Sequence, residues 1–148
     1  MRIQTLKRLI MLSVLGVLTA VSAHGQAGKQ FTVTIPFNFE VAGKTLPAGQ
    51  YYVGRSTQTS AEGLVLRGTD GRAGVFALTR GIQTKDIQQQ SKLVFRRYEH
   101  QYFLGEVWIS GVNAGRGLPL SRSERQVAQE IAKNGSKPQK VSVVGDKR

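Results

Sequence analysis

Between Phe31 and Val41 every odd-numbered residue is apolar: Phe31, Val33, Ile35, Phe37, Phe39 and Val41. The even positions hold Thr32, Thr34, Pro36, Asn38 and Glu40. Side chains alternate between the two faces of a strand, so a period of two predicts one buried face and one wet face. Pro36 falls in the outward set. Because it has no N–H to give to a ladder, the pattern predicts an edge position or a bend there. Residues 42–49 (Ala-Gly-Lys-Thr-Leu-Pro-Ala-Gly) read as a loop leading to a second strand at residues 51–53.

Further strands are expected on hairpin signals. Residues 63–67 and 74–79 flank Thr69-Asp70-Gly71-Arg72, and Asp-Gly between β-rich runs marks a tight turn because glycine takes positive φ readily. Residues 83–91 are polar and read as a mobile loop. Residues 92–98 and 102–110 form another expected hairpin, turning at Glu99-His100-Gln101. In strict alternation, Tyr102, Leu104, Glu106 and Trp108 share one face of that last strand. Phe103, Gly105, Val107 and Ile109 then share the other. Apolar residues on both faces predict a central strand covered from both sides, with a helix on one.

A glycine-rich connector at residues 113–117 is followed by Leu118-Pro119-Leu120 and then by Ser121-Arg122-Ser123-Glu124, a capping-box spacing. Val127, Ala128, Ile131 and Ala132 make a narrow apolar stripe, and Asn134-Gly135 is a stop signal, so a helix is expected at about residues 121–133. A helix of that length is too short to stand alone and should dock on the sheet. Residues 136–148, with Lys137, Lys140, Lys147 and Arg148 against Asp146, read as a basic flexible tail.

The fold expected is therefore mainly β: an antiparallel barrel or sandwich of about six or seven strands with one C-terminal helix, spanning residues 28–135. With 148 residues, 6 Phe, 4 Tyr and 1 Trp, the chain can fill the core of one domain. Arg2, Lys7 and Arg8 precede a 13-residue stretch without charge, residues 9–21, and Val21-Ser22-Ala23 offers small residues for cleavage after Ala23. This predicts a signal peptide over residues 1–23 and export to a periplasmic or extracellular location. At 1.5 Å per residue the apolar run reaches about 20 Å, short of a bilayer's roughly 30 Å, and no integral membrane protein is expected.

No catalytic constellation emerges. Glu99 and Glu106 flank a turn, His100 sits within it, and Ser121 and Ser123 are explained by helix capping. The absence of cysteine excludes disulfides and thiolate sites, and no metal site or cofactor is expected. Charge is the more informative property. The chain carries 21 Lys and Arg against 9 Asp and Glu, a formal net charge of +12. Such an excess draws anions. Export makes anionic envelope polymers or lipids the expected partners and argues against nucleic acid, and Arg96, Arg97, Arg122, Arg125, Lys137 and Lys140 are the candidate anion contacts. The alternative expectation is a carrier holding a small apolar ligand in a β-barrel lined by Phe37, Phe39, Tyr102 and Trp108.

Three spaced elements also carry a likeness. Phe31 to Val53, read as F-x-V-x-I-P-F-x-F-x-V-x-G-K-x-L-P-A-G-x-Y-x-V, resembles the opening of a group of small exported bacterial proteins of unknown function. The run Leu93-Val94-Phe95-Arg96-Arg97-Tyr98 with Tyr102-Phe103-Leu104-x-Glu106-Val107-Trp108, and Leu118-Pro119-x-Ser121-x-x-Glu124-Arg125, are similar to the same group. The resemblance implies an exported β-rich domain with a C-terminal helix, and no site residues.

Overall fold

The computed structural model describes residues 30–56 and 63–146. The expected signal segment and its cleavage site, and Lys147 and Arg148, lie outside the described residues. The fold is mainly β: two sheets face each other as a sandwich, not closed into a barrel, with one helix near the C-terminus.

The smaller sheet has the order β1–β4–β5–β6, all antiparallel: β1 (Phe31–Ile35), β4 (Gly49–Arg55), β5 (Gly63–Gly68) and β6 (Gly74–Leu78). The larger runs β11–β8–β9–β10–β7: β7 (Arg80–Gln83), β8 (Lys92–Tyr98), β9 (Gln101–Trp108), β10 (Ala114–Gly117) and β11 (Gln139–Val144). Alongside β9 it also takes β2 (Phe39–Val41), which pairs with β3 (Lys44–Leu46). Helix α1 spans Arg122–Lys133.

Pro36 bends the chain as its missing N–H required, and the consequence is larger than a bend. The expected single strand 31–41 is cut in two, β1 joining the smaller sheet and β2 the larger. The period of two survives the corner. Val33, Ile35, Phe39 and Val41 are all buried in one core that also takes Tyr51, Val53, Leu64 and Leu66 from the smaller sheet and Leu93, Phe95, Leu104 and Val107 from the larger. Phe39 packs edge-on against Tyr51 and Phe95, with ring centroids 5.3 and 5.5 Å apart.

Eleven strands stand among the described residues, not six or seven, because short pieces read as loops are paired. Ala42 and Gly43, at φ 51° and 83°, turn β2 directly into β3, the two-residue connection that positive φ at both positions allows. Residues 80–83 and the supposed connector at 114–117 pair with each other as β7 and β10. Gly115 suits that role: a Cβ there would meet the Trp108 ring at 2.6 Å, so only glycine lets the indole lie flat across β10.

The tail is corrected as well. Residues 139–144 run the length of β8 as an edge strand, and Val141 and Val143, opposite Phe95 and Leu93, pack on the core. Beyond it, the Asp146 N–H donates to the Thr32 carbonyl at 2.7 Å, and its carboxylate accepts from Thr34 Oγ1 and Gln50 Nε2. The C-terminal segment thus latches the two sheets together.

Candidate anion-binding surface

Strand β9 is central and covered on both faces, as its composition predicted, but its faces are not those of strict alternation. Val94 pairs with Glu106 and Phe95 with Leu104, so Gly105 is an extra residue, a β-bulge. The bulge moves Val107 onto the core face with Leu104 and leaves Phe103, Glu106 and Trp108 on the other. Because Gly105 has no side chain, the Arg96 guanidinium crosses directly over it; a Cβ there would meet Arg96 Nη1 at 2.5 Å. Arg96 thereby reaches the helix.

At the helix start Ser121 accepts from the Glu124 N–H at 3.1 Å, the expected cap. Glu124 does not close the capping box. Its carboxylate turns to the sheet, taking Arg96 Nε on Oε1 and Arg96 Nη2 on Oε2 at 2.9 Å, while Tyr98 Oη donates to Oε1 at 3.2 Å. Glu124 is 2% exposed. The hydrogen bonds that Arg96 donates to Glu124, with the carboxylate's charge and against the cost of burial, keep the Arg96 guanidinium protonated more firmly than usual. Burial first, and then Glu124's charge and hydrogen bond, push the Tyr98 phenol up. Ser121 and Ser123 both donate to Glu40 Oε1, tying the helix N-terminus to β2. Ile131 is buried against Tyr98 and Phe103, with Val127 and Ala128 beside it; Ala132 faces solvent. The Asn-Gly stop holds: Gly135 (φ 73°) donates to Ala132 O and Ser136 to Ile131 O, a Schellman ending.

Six cations were expected to contact anions, and the fold treats them unequally. Arg96 is consumed by Glu124. Lys140 Nζ donates to Glu106 Oε1 at 2.8 Å, and Glu106 Oε2 accepts from Trp108 Nε1 at 2.9 Å. Arg97 lies 5.6 Å from the centre of the Tyr102 ring and donates to the Glu99 carbonyl. Arg97 and Lys137 share a cleft of about 310 Å³ at the C-terminal end of the helix. Arg122 and Arg125 are exposed on the helix, with no side-chain partner among the described residues.

Partial burial opposes ionisation of Glu106. The hydrogen bonds from Lys140 and Trp108 outweigh it and, with the charges of Lys140 and Arg96, hold the carboxyl below its ordinary value. The sign follows: the stabilisation is complete above the unfolded-state value, about 4.3, and is lost as pH falls through the lower folded value. Glu106→Gln is therefore expected to flatten the acid limb of the stability profile by less than about 1 kcal/mol, since the Lys140 side chain is 71% exposed. Urea unfolding across about pH 3 to 7 measures this. An acid limb as steep as the wild type's would show that the fold does not favour the ionised form.

The residues expected to line an apolar site are not one lining. Phe37 stacks on Tyr102 (centroids 3.8 Å apart, 13° between planes) and meets Phe95 edge-on. Phe39 is packed between the sheets. Trp108 lies on the opposite face of the larger sheet, over Gly115. The barrel lumen a carrier would need is replaced by the packed interior of a sandwich. His100 is an exposed turn residue, and no three His, Asp or Glu side chains converge as metal ligands among the described residues. No helix among them is long and apolar enough to cross a membrane.

Three arginines absent from the sequence-based expectation have open positions. Arg55 and Arg67 border a groove of about 490 Å³ on the smaller sheet, and Arg55 and Arg116 border a second of about 450 Å³ beside β7 and β10. Their separation along the chain hides them from any reading by motif. No family model, curated protein or solved structure matches the chain.

Proposed function

We propose that the protein is an exported, non-enzymatic binding protein that associates electrostatically with anionic components of the cell envelope. One observation carries the reading: the surface cations are not neutralised by the fold. The described residues include 15 Lys and Arg, the chain's 21 less Arg2, Lys7, Arg8, Lys29, Lys147 and Arg148. Only Arg96 and Lys140 among them form ion pairs with described residues. Arg122, Arg125 and Lys137 remain from the expected set, and Arg97 keeps part of its guanidinium open. Uncompensated charge of one sign raises the local concentration of polyanions and speeds encounter. The basic start, apolar run and small-residue exit of residues 1–23 support export.

Washing the envelope of native cells with a salt ramp tests the proposal. Exposed charges are screened progressively as the Debye length shrinks, so release is expected between roughly 0.1 and 0.5 M salt. Recovery of the whole pool in the soluble fraction at low salt sinks it.

A further inference from the structure

Arg67, Arg55 and Arg116 border two grooves, and Arg55 is common to both. Arg67 stands directly opposite Tyr52 in the β4–β5 ladder, on the outward face of the smaller sheet, where Tyr52 is 51% exposed. The groove beside them is lined by Gly54 and Val65, with the Gln30 side chain against Gly54. Arg55 ends β4, past Val53, the last buried residue of that strand, and is exposed, so its side chain leaves the sandwich at the end of the strand. It therefore also walls the second groove, which runs along Gly81, Ile82 and Gly115 to Arg116. None of the three guanidinium groups has a hydrogen bond or ion pair with a described residue.

We infer that the two grooves act as one track around Arg55 and bind a linear acidic polysaccharide, its carboxylates on the three arginines and a sugar ring on Tyr52. The inference deepens the envelope-binding reading and rests on it. Guanidinium groups take carboxylates in pairs of parallel hydrogen bonds, which a planar fork fits and a lysine does not. Arg67 and Arg55 sit one strand apart and three residues along, about 11 Å between Cα positions at ordinary strand spacings. That span asks for repeated charges on an extended chain, not one small anion. The exposed tyrosine ring offers an apolar face with a polar edge to the C–H face of a sugar. A lipid surface is the competing occupant, because the exposed Phe76 stands directly opposite Val65 on the same outward face as Tyr52; the arginine forks along the grooves favour the polysaccharide, and the test includes both.

The test uses protein purified from cells expressing the full chain, titrated with polygalacturonate and, separately, with phosphatidylglycerol vesicles. Arg55→Gln/Arg67→Gln/Arg116→Gln is expected to weaken polygalacturonate binding about tenfold or more. Tyr52→Ala, which changes no charge, should weaken it about threefold or more. Arg72→Gln/Lys85→Gln/Lys133→Gln removes the same charge elsewhere and should stay within about threefold. Matching Tm values keep the comparison among folded proteins. Equal losses in the two triple variants would overturn the track while leaving charge-driven envelope binding intact. Wild-type binding to vesicles but not to polygalacturonate overturns the polysaccharide as occupant. Binding to neither overturns both the track and the proposed function.

Discussion

Arg96→Met should destabilise the protein by about 3–5 kcal/mol, the usual cost of removing one partner from a buried ion pair. The loss comes from Glu124. Its carboxylate, 2% exposed, would keep only the Tyr98 hydroxyl, and the helix start would carry a desolvated charge. The pair is not expected to be worth that much in itself. Two charges taken out of water recover little more than their desolvation, so Arg96→Met/Glu124→Gln should regain most of the loss. Urea unfolding of the two variants separates these terms. A loss below about 1 kcal/mol for the single variant would mean that water reaches Glu124 and that Ile131, Val127 and Ala128 hold the helix unaided.

Phe95→Ala is expected to cost about 3–5 kcal/mol, by lost transfer free energy and by the cavity left behind. Phe95 is fully buried and central to the aromatic cluster, edge-on to Phe37 at 5.1 Å and to Phe39 at 5.5 Å. It is also the residue over which β11 closes, through Val141. Against the roughly 5–15 kcal/mol of a typical domain, such a loss leaves the variant near its unfolding limit. The midpoint and slope of urea unfolding measure it. A drop of under about 1 kcal/mol would show that the two sheets collapse onto the gap, and that the sandwich is not packed around this ring.

Much of the fold was legible because its signals are local. The alternation over Phe31 to Val41 places four buried side chains in the core, although the chain changes sheets between Ile35 and Phe39. Asp70-Gly71 turns β5 into β6, with Gly71 at φ 73°, and Asn134-Gly135 ends the helix. The short strands β7, β10 and β11 were not legible, for a common reason. Each is held by the partner it pairs with, and β7 and β10 are largely glycine and arginine. In β11 the valines at 141 and 143 carried a period-two signal, but Lys137, Lys140 and Asp146 around them read as a solvated tail.

The candidate anion contacts divide in the same way. Arg96 and Arg97 are neighbours in sequence and fall on opposite faces of β8, one taken by Glu124 and the other against Tyr102. Positive charge was legible residue by residue; its neutralisation was not, because the acids come from the helix and the neighbouring strand. Arg55, Arg67 and Arg116 share no motif, and only the position of Arg55 at the end of β4 gives their two grooves a residue in common.

By itself, then, the amino-acid sequence determined the strand period, the tight turns, the helix with its stop and the excess of positive charge. These follow from backbone preferences and from which face of an element each residue occupies, quantities that neighbours along the chain decide. The tertiary structure alone decided the corner at Pro36 that divides one strand between two sheets, the bulge at Gly105 that reverses the faces of β9, and the cations left unpaired. Each of those depends on which distant residue lies within hydrogen-bonding or ion-pairing distance, and that distance is set only when the sheets pack.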